Sequence, residues 1–211
     1  MIPISRDRLH KEQNRKTRKI SWKKIKLKKK KKKTNDLKNI RHTIVVYLTI
    51  AVMTMVAMVV LYTQVLMNAY IPSESMENTL MTGDRVIGNR LAYKFGHDPE
   101  RFDIVMFHFP DDPSMIYIKR IIGLPGEKVT IKKGKVYIND SSTPLDDSFI
   151  REKMETEPDM EFNVPEGCYF MLGDNRNESA DSRYWDNPYV SADQIVAKAS
   201  FRYWKGFKVV K

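Results

Sequence analysis

The chain changes its pattern of apolar and polar residues twice along its length. Residues 44–67 form an apolar run of 24 residues without a charged side chain, preceded by a lysine-rich stretch and followed by short alternating stretches. A helix of this length extends about 36 Å, enough to cross a bilayer with some tilt. A cleaved signal peptide is usually shorter, and a buried core helix seldom lacks a polar face. We therefore predict a transmembrane helix over residues 44–67.

The pattern after the apolar run indicates a mainly β fold, in which the single N-terminal helix precedes an all-β domain over residues 68–211. Short alternating stretches separated by Gly, Pro and Asp are typical of strands and turns. Lys133-Gly134 and Pro165-Glu166-Gly167 are turn signals, and the acidic stretch from Asp140 to Glu161 resembles an exposed connection or an insertion. The predicted strands are Arg85–Asn89, Asp103–Phe109, Met115–Ile122, Lys128–Ile131, Lys135–Asn139, Cys168–Leu172 and Ile195–Trp204.

Charge is concentrated in the tail that precedes the apolar run. Residues 1–43 hold 18 of the 37 Lys and Arg but 3 of the 26 Asp and Glu. Because positive flanks stay in the cytoplasm, we predict a cytoplasmic tail over residues 1–43 and a domain outside the cell membrane. The lysine run from Lys26 to Lys33 suits anionic lipid headgroups or nucleic acid. Its position ten residues before the span favours membrane lipids, so no nucleic acid is expected.

Candidate chemistry lies just beyond the apolar run, at Ser73 and Ser75. A serine hydroxyl is a poor nucleophile unless a base removes its proton. All four histidines are poorly placed for this role, because they lie in the tail, in a polar loop or on a strand without a surrounding motif; they are His10, His42, His97 and His108. The single cysteine, Cys168, excludes an intrachain disulfide and a cysteine-rich zinc site.

Lys119 offers an alternative base. On a strand, Lys119 would project to the same face as Tyr117 and Ile121, an apolar setting that a solvated lysine usually avoids. The same pattern would also arise if Lys119 were a chance charged residue on an edge strand. At a normal pKa only about one lysine in 2,500 is neutral at pH 7. Burial disfavours the ammonium, and a pKa lowered by about 2 to 3 units would make Lys119 an effective base.

Five segments in this order resemble the conserved boxes of bacterial type I signal peptidases, which are membrane-anchored Ser-Lys proteases. The segments are Ser73-Glu74-Ser75-Met76, Gly83-Asp84-Arg85-Val86, residues 101–107, residues 117–126 and residues 173–185. The resemblance implies that Ser75 is the nucleophile and Lys119 the general base. It further implies that Ser73 and the backbone N–H of Ser75 form the oxyanion hole.

The same resemblance implies further roles and partners. Ser179 would orient the lysine amine, and Asp181 with Arg183 would brace that corner of the site. The substrates would be signal peptides of exported preproteins, cut after a small residue, with no metal or other cofactor. Shallow apolar pockets for the substrate would involve Ile71, Pro72, Met76, Leu80, Met106, Tyr117 and Ile118.

The sequence departs from the family pattern at four positions without losing a catalytic group. Asn78 stands where proline is frequent, Phe102 replaces a common glycine, Glu127 replaces an aspartate, and Asp186 follows Trp185 where glycine is usual. The first two could alter the backbone near the nucleophile and hence the substrate preference.

Two other functions fit parts of the sequence. The self-cleaving repressors are also Ser-Lys proteases of a related fold, but they carry a soluble DNA-binding domain where this chain has an apolar run. A membrane-tethered binding module with a basic tail would need neither serine nor lysine chemistry. Cleavage of a preprotein that depends on Ser75 distinguishes the hydrolase from the binding module.

Overall fold

The first part of the structure is one long helix. The computed structural model describes residues 6–155 and 158–210, with side chains described from residue 21 onward. Helix α1 covers Arg6–Val60 and continues into a π-helical turn at Leu61–Val65. Within Ser21–Val65, a window of 18 residues has a mean hydropathy of 2.7 and no buried residue. By length and composition, this helix can cross a membrane.

The chain divides into two compact units, the second of which begins at Val59. The last two residues of the apolar run, Leu66 and Met67, already belong to the first strand of that unit. The α-helical conformation therefore ends before the uncharged sequence does, because Leu66–Tyr70 pairs with a neighbouring strand.

Two antiparallel sheets form the second unit within the described residues. The larger has the strand order β1-β2-β10-β3-β4-β8-β9, with β11 beside β10, and the smaller has the order β6-β5-β7. The strands are β1 Leu66–Tyr70, β2 Arg85–Asn89, β3 Ile104–Phe109, β4 Asp112–Gly123, β5 Lys128–Lys132, β6 Lys135–Ile138, β7 Met160–Asn163, β8 Cys168–Leu172, β9 Tyr189–Ser191, β10 Ile195–Arg202 and β11 Lys208–Val209. Two 3₁₀ turns lie at Arg176–Glu178 and Ala192–Gln194.

The predicted fold class is confirmed, and all seven predicted strands are present with ends shifted by at most three residues. The hairpin turn at Lys133-Gly134 is also confirmed, since both residues have positive φ and join the paired strands β5 and β6. The strands β1, β7, β9 and β11 were not predicted. Strands β9 and β11 have only three and two residues, too few for alternation to show, whereas β1 begins within the apolar run and β7 begins within the acidic stretch.

The stretch from Asp140 to Glu161 is not simply the exposed connection that its acidity indicates. Its last residues begin β7, which pairs with β5 at the edge of the smaller sheet. Met154 within it is buried in the core beneath that sheet. Among the described residues of this stretch, Glu152, Glu155 and Asp159 are exposed, whereas Met154 is buried and Phe149 and Ile150 are half-buried. The stretch is therefore exposed only in part.

Three apolar cores hold the strands together. The first packs the turn after β1 on β3 and β10, and the second fills the space between the smaller sheet and β8. The third lies along β3, β4 and β8, and includes Val105, Phe107, Ile121 and Met171. Strand β4 contributes to all three cores, through Ile118, Ile122 and Ile121 respectively. Its C-terminal half is therefore packed on both faces.

Candidate active site

Strand β4 carries Lys119 from an exposed outer half into a buried inner half. Residues 112–116 are exposed, whereas 119–123 are buried, and Lys119 is only 4% exposed. It lies opposite Val105 of β3. On the other edge, β8 pairs with β4 only from Arg120, which lies opposite Leu172, so the same register places Lys119 beside Gly173. The structure thus buries this lysine at the point where the β4–β8 pairing ends.

Burial makes Lys119 an unusually acidic lysine. The pKa of its ammonium is lowered from 10.5 to about 8, chiefly because burial desolvates it; the charges of Asp181 and Asp174 oppose this shift, and that of Arg183 adds to it. At pH 7 about one amine in ten would then be neutral, several hundredfold more than for a solvated lysine. The apolar setting that the sequence indicated is therefore present, and it has the predicted effect on the pKa.

The candidate nucleophile Ser75 lies in a tight turn after β1. The Ile71 N–H donates to Asp84 O and its carbonyl accepts from Gly83 N, so the chain enters the turn along the start of β2. Met76 and Leu80 anchor the turn in the first core. Ser75 is 7% exposed, and its Oγ lies 3.4 Å from Oγ of the exposed Ser73. The two serines named by the sequence are thus adjacent.

The segment after β8 holds this turn from behind. Asn175 N donates to Ser75 O at 3.1 Å, and Asn175 Nδ2 donates to Glu74 O at 3.1 Å. Gly173 lies so close that a Cβ added to it would fall within 3 Å of both Ser75 O and Ser179 Oγ. Only glycine fits this position, because any side chain would occupy the space in which the segments bearing Ser75 and Ser179 approach each other.

Ser179, Asp181 and Arg183 gather beside Gly173. Among the buried polar atoms of the described residues, Ser179 Oγ is one of those without a hydrogen-bond partner, so it remains available to a nearby amine. Asp181 accepts from Gly173 N at 3.0 Å and binds Arg183 through both carboxylate oxygens, at 2.8 and 3.0 Å. Buried carboxylates are costly unless paired and hydrogen-bonded, and this one is both.

A second buried ion pair was not predicted from the sequence. Arg120, next to Lys119 on β4, binds Asp174 through Nε at 2.8 Å and Nη2 at 2.7 Å. Thr79 Oγ1 donates to the same carboxylate. The pair therefore joins β4, the Ser75 turn and the segment after β8. Both residues lie in segments that resemble the family's conserved boxes. Their pairing is visible only in the structure, because they are 54 positions apart in the sequence.

The chain was compared with known proteins. The family model described as signal peptidase, peptidase S26, matches residues 40–204. The chain belongs to this family. It is 41% identical over 145 residues to a signal peptidase I of Leptolyngbya laminosa, covering 64% of this chain and 67% of that one. It is 35% identical over 162 residues to a signal peptidase I of Pseudomonas aeruginosa, covering 59% of this chain and 57% of that one.

Two further relatives extend the comparison. The chain is 38% identical over 149 residues to thylakoidal processing peptidase 1 of Arabidopsis thaliana, covering 66% of this chain and 42% of that one. Several aligned relatives are thus spanned over less than two thirds of their length. A crystal structure of a signal peptidase I from Enterococcus faecalis matches with a TM-score of 0.40 at 34% identity, covering 48% of this chain and 96% of that chain.

The seven candidate substrate residues fall into two groups in this signal peptidase family member. Ile71, Met76, Leu80 and Met106 are almost fully buried in the first core. Pro72 is exposed, and Tyr117 and Ile118 are half-buried. The first group can shape the surface from beneath, whereas the second group can touch a bound peptide. Their substrate-binding role stays a prediction.

Tyr117 belongs to an aromatic cluster on the outer half of β4. Its ring stacks on Phe109 with centroids 4.4 Å apart, and Trp185 meets both rings edge-on. His108, on β3, forms a hydrogen bond with Pro113 O through Nδ1 at 2.7 Å and so supports the β3–β4 hairpin.

The departures from the family pattern have local structural consequences. Asn78 and Phe102 both have left-handed backbones, with φ of 86° and 72°. This conformation explains why glycine is common at the position of Phe102, since a larger residue there is strained. Glu127 binds Arg101 and accepts from Leu124 N. The backbone N–H of Asp186 donates to Asp111 at 3.1 Å.

The buried lysine generates a prediction about stability. With pKa values of about 8 folded and 10.5 unfolded, burial of the ammonium costs about 3 kcal/mol at pH 7. Because the unfolded chain binds more protons between these values, that cost disappears as pH rises from about 8 to 10.5. Lys119→Met should therefore raise the free energy of unfolding at pH 7 by about 1 to 3 kcal/mol, and by less at pH 10.

The measurement is denaturant unfolding at both pH values, followed by tryptophan fluorescence. The control is Lys135→Met, because Lys135 is exposed on β6. An equal gain at pH 7 and pH 10, or destabilisation at pH 7, would contradict the burial of a charged amine.

Proposed function

We propose that the protein is a membrane-bound endopeptidase that removes signal peptides from exported preproteins with a Ser75-Lys119 dyad. The observation that carries this proposal is the burial of Lys119, with its lowered pKa, beside Gly173. Ser75 O and Ser179 Oγ both approach that glycine. Membership of the signal peptidase family supplies the reaction class.

Acyl transfer follows from these positions. Neutral Lys119 accepts the proton of Ser75 as its Oγ attacks the carbonyl carbon of the scissile bond. The lysine then gives that proton to the leaving amine, which frees the new N-terminus of the mature protein. A water molecule, deprotonated in turn by Lys119, attacks the ester carbonyl; the Lys119 ammonium returns that proton to the departing Ser75 Oγ, and the signal peptide leaves as a carboxylic acid.

The oxyanion that forms during each attack needs donors. We assign them to the backbone N–H of Ser75 and the hydroxyl of Ser73, whose Oγ lies 3.4 Å from that of Ser75. One such donor contributes about 3 to 4 kcal/mol to the transition state in comparable enzymes. Ser179 Oγ would accept or donate a hydrogen bond at the Lys119 amine and keep it aimed at Ser75.

The open edge of β4 supports binding of an extended substrate. Residues 116–119 pair with β3 on one edge, and pairing with β8 begins only at Arg120. An extended peptide can add to a free strand edge through main-chain hydrogen bonds. Such a peptide would contact Tyr117, Ile118 and the exposed Pro72 on its way to Ser75, and the buried methionines beneath would limit it to small side chains at the cut.

The N-terminal helix supports a location at the plasma membrane. We propose that it crosses the membrane once, with the lysine-rich end in the cytoplasm near anionic lipid headgroups and the β domain outside. A signal peptide also crosses the membrane, so its cleavage site would emerge on the side where the β domain lies.

The first test removes the nucleophile. Ser75→Ala should lower cleavage of a preprotein by the full-length protein in detergent by at least about 10³-fold, because nothing replaces the attacking oxygen. Ser73→Ala should cost about 10² to 10³-fold through the lost oxyanion donor. Ser142→Ala is the matched control, since Ser142 is exposed on a loop. Cleavage is followed on gels, and N-terminal sequencing of the product locates the cut; undiminished cleavage by Ser75→Ala would refute the mechanism.

The second test uses pH. Since the pKa of Lys119 is about 8 in the free protein, kcat/KM should rise about tenfold per pH unit below pH 7 and level off above pH 8 to 9. Initial cleavage rates between pH 5 and 10 give the profile. A rate that stays flat from pH 5 to pH 9 would show that an uncharged lysine is not the base.

A further inference from the structure

A segment of the acidic connection contacts the Ser75 turn. We call residues 149–155 the clasp segment. Asn78 Nδ2 donates to Phe149 O at 2.8 Å and to Ile150 O at 3.4 Å. Arg151 Nη1 lies 3.0 Å from a carboxylate oxygen of Glu77. Glu77 and Asn78 are the second and third residues after Ser75, so both contacts fall on the turn that carries the nucleophile.

The clasp segment also contacts the chain on the other side of the site. Arg151 N donates to Asp174 O at 3.1 Å. Glu155 N donates to Asn177 Oδ1 at 2.9 Å, and Asn177 Nδ2 donates to Lys153 O at 3.3 Å. Asp174 and Asn177 lie between Gly173 and Ser179. The same seven residues therefore hold both segments that meet at Gly173.

The ring of Phe149 adds a third set of contacts. Its centroid lies 4.2 Å from the guanidinium carbon of Arg120 and 5.5 Å from the ring of Phe102, which it meets edge-on. Arg120 in turn donates to Phe102 O at 2.8 Å and binds Asp174. Phe149 thus covers the buried ion pair next to Lys119. Asn78 and Phe102, two departures from the family pattern, both touch this one residue.

We propose that the clasp segment positions the nucleophile, by fixing the Ser75 turn against the segment that bears Ser179. This inference rests on the proposed Ser75-Lys119 chemistry. Ser75, Lys119 and Ser179 come from three stretches of sequence, and their relative placement depends on what joins those stretches. A displacement of about 1 Å at a reacting atom can cost about 10²-fold in rate. The clasp segment touches no reacting group, so its residues are positioning residues.

The test separates positioning from stability. Asn78→Gly removes both amide hydrogen bonds and keeps a residue that accepts the φ of 86°. Phe149→Ala removes the ring from Arg120 and Phe102. Phe162→Ala is the matched control, because Phe162 packs on Phe170 with centroids 4.5 Å apart in the second core. The full-length proteins in detergent are assayed for preprotein cleavage at a temperature well below every Tm.

We expect Asn78→Gly and Phe149→Ala each to lower kcat about tenfold or more, with KM within about twofold of the wild type, because turn position and not peptide binding is changed. The double variant should lose less than the product of the two single losses, since both act through one segment. Phe162→Ala should lower Tm and leave kcat within about twofold.

Three results would overturn the proposal. They are an unchanged kcat in both variants, an equal loss of kcat in Phe162→Ala, and a double variant whose losses multiply. If the wild type cleaves no preprotein, the proposed function fails and the positioning role fails with it. A wild type that cleaves, with variants that cleave equally well, defeats the clasp segment alone.

Discussion

The constraint on which the site depends is the removal of one lysine amine from water. Lys119 lies in the buried half of β4, where its ammonium loses its hydration. This desolvation lowers the pKa by more than the two nearby carboxylates raise it. That balance holds because each carboxylate is bound to an arginine, Asp181 to Arg183 and Asp174 to Arg120. Without those partners, the aspartates would stabilise the ammonium and raise its pKa. The buried ion pairs therefore help to keep the pKa of Lys119 low, as well as holding the fold together.

The Ser75 turn, which carries the proposed nucleophile, is held to the segment after β8 through its backbone carbonyls. Ser75 O and Glu74 O accept from Asn175, and Gly173 leaves the room in which the Ser75 and Ser179 segments approach. Strand β4 connects the two sides of the site, since residues 116–120 pair with β3 and pairing with β8 begins at Arg120. That second pairing ends at the position where the lysine becomes buried, and this is the edge of β4 to which we assign the substrate.

Much of this arrangement could be predicted from the sequence. Alternation located the longer strands, and the apolar neighbours of Lys119 indicated its burial. The resembling boxes named Ser75, Lys119, Ser179, Asp181 and Arg183 as parts of one site, and the structure places the last three beside Gly173. The roles of Arg120, Asp174 and Asn175 were not visible, because their partners lie up to 101 positions away. Acidity likewise concealed the packing of residues 149–155, since one-dimensional charge does not show which residues between the acids face inward.

The most direct test of this account is the pKa of Lys119 itself. The full-length protein can be labelled at lysine and titrated by NMR in detergent, with Lys119→Met used to assign the resonance. The account predicts a lysine resonance that titrates near pH 8 and is missing in Lys119→Met. A Lys119 that titrates with the solvated lysines, at about 10.4, would contradict it.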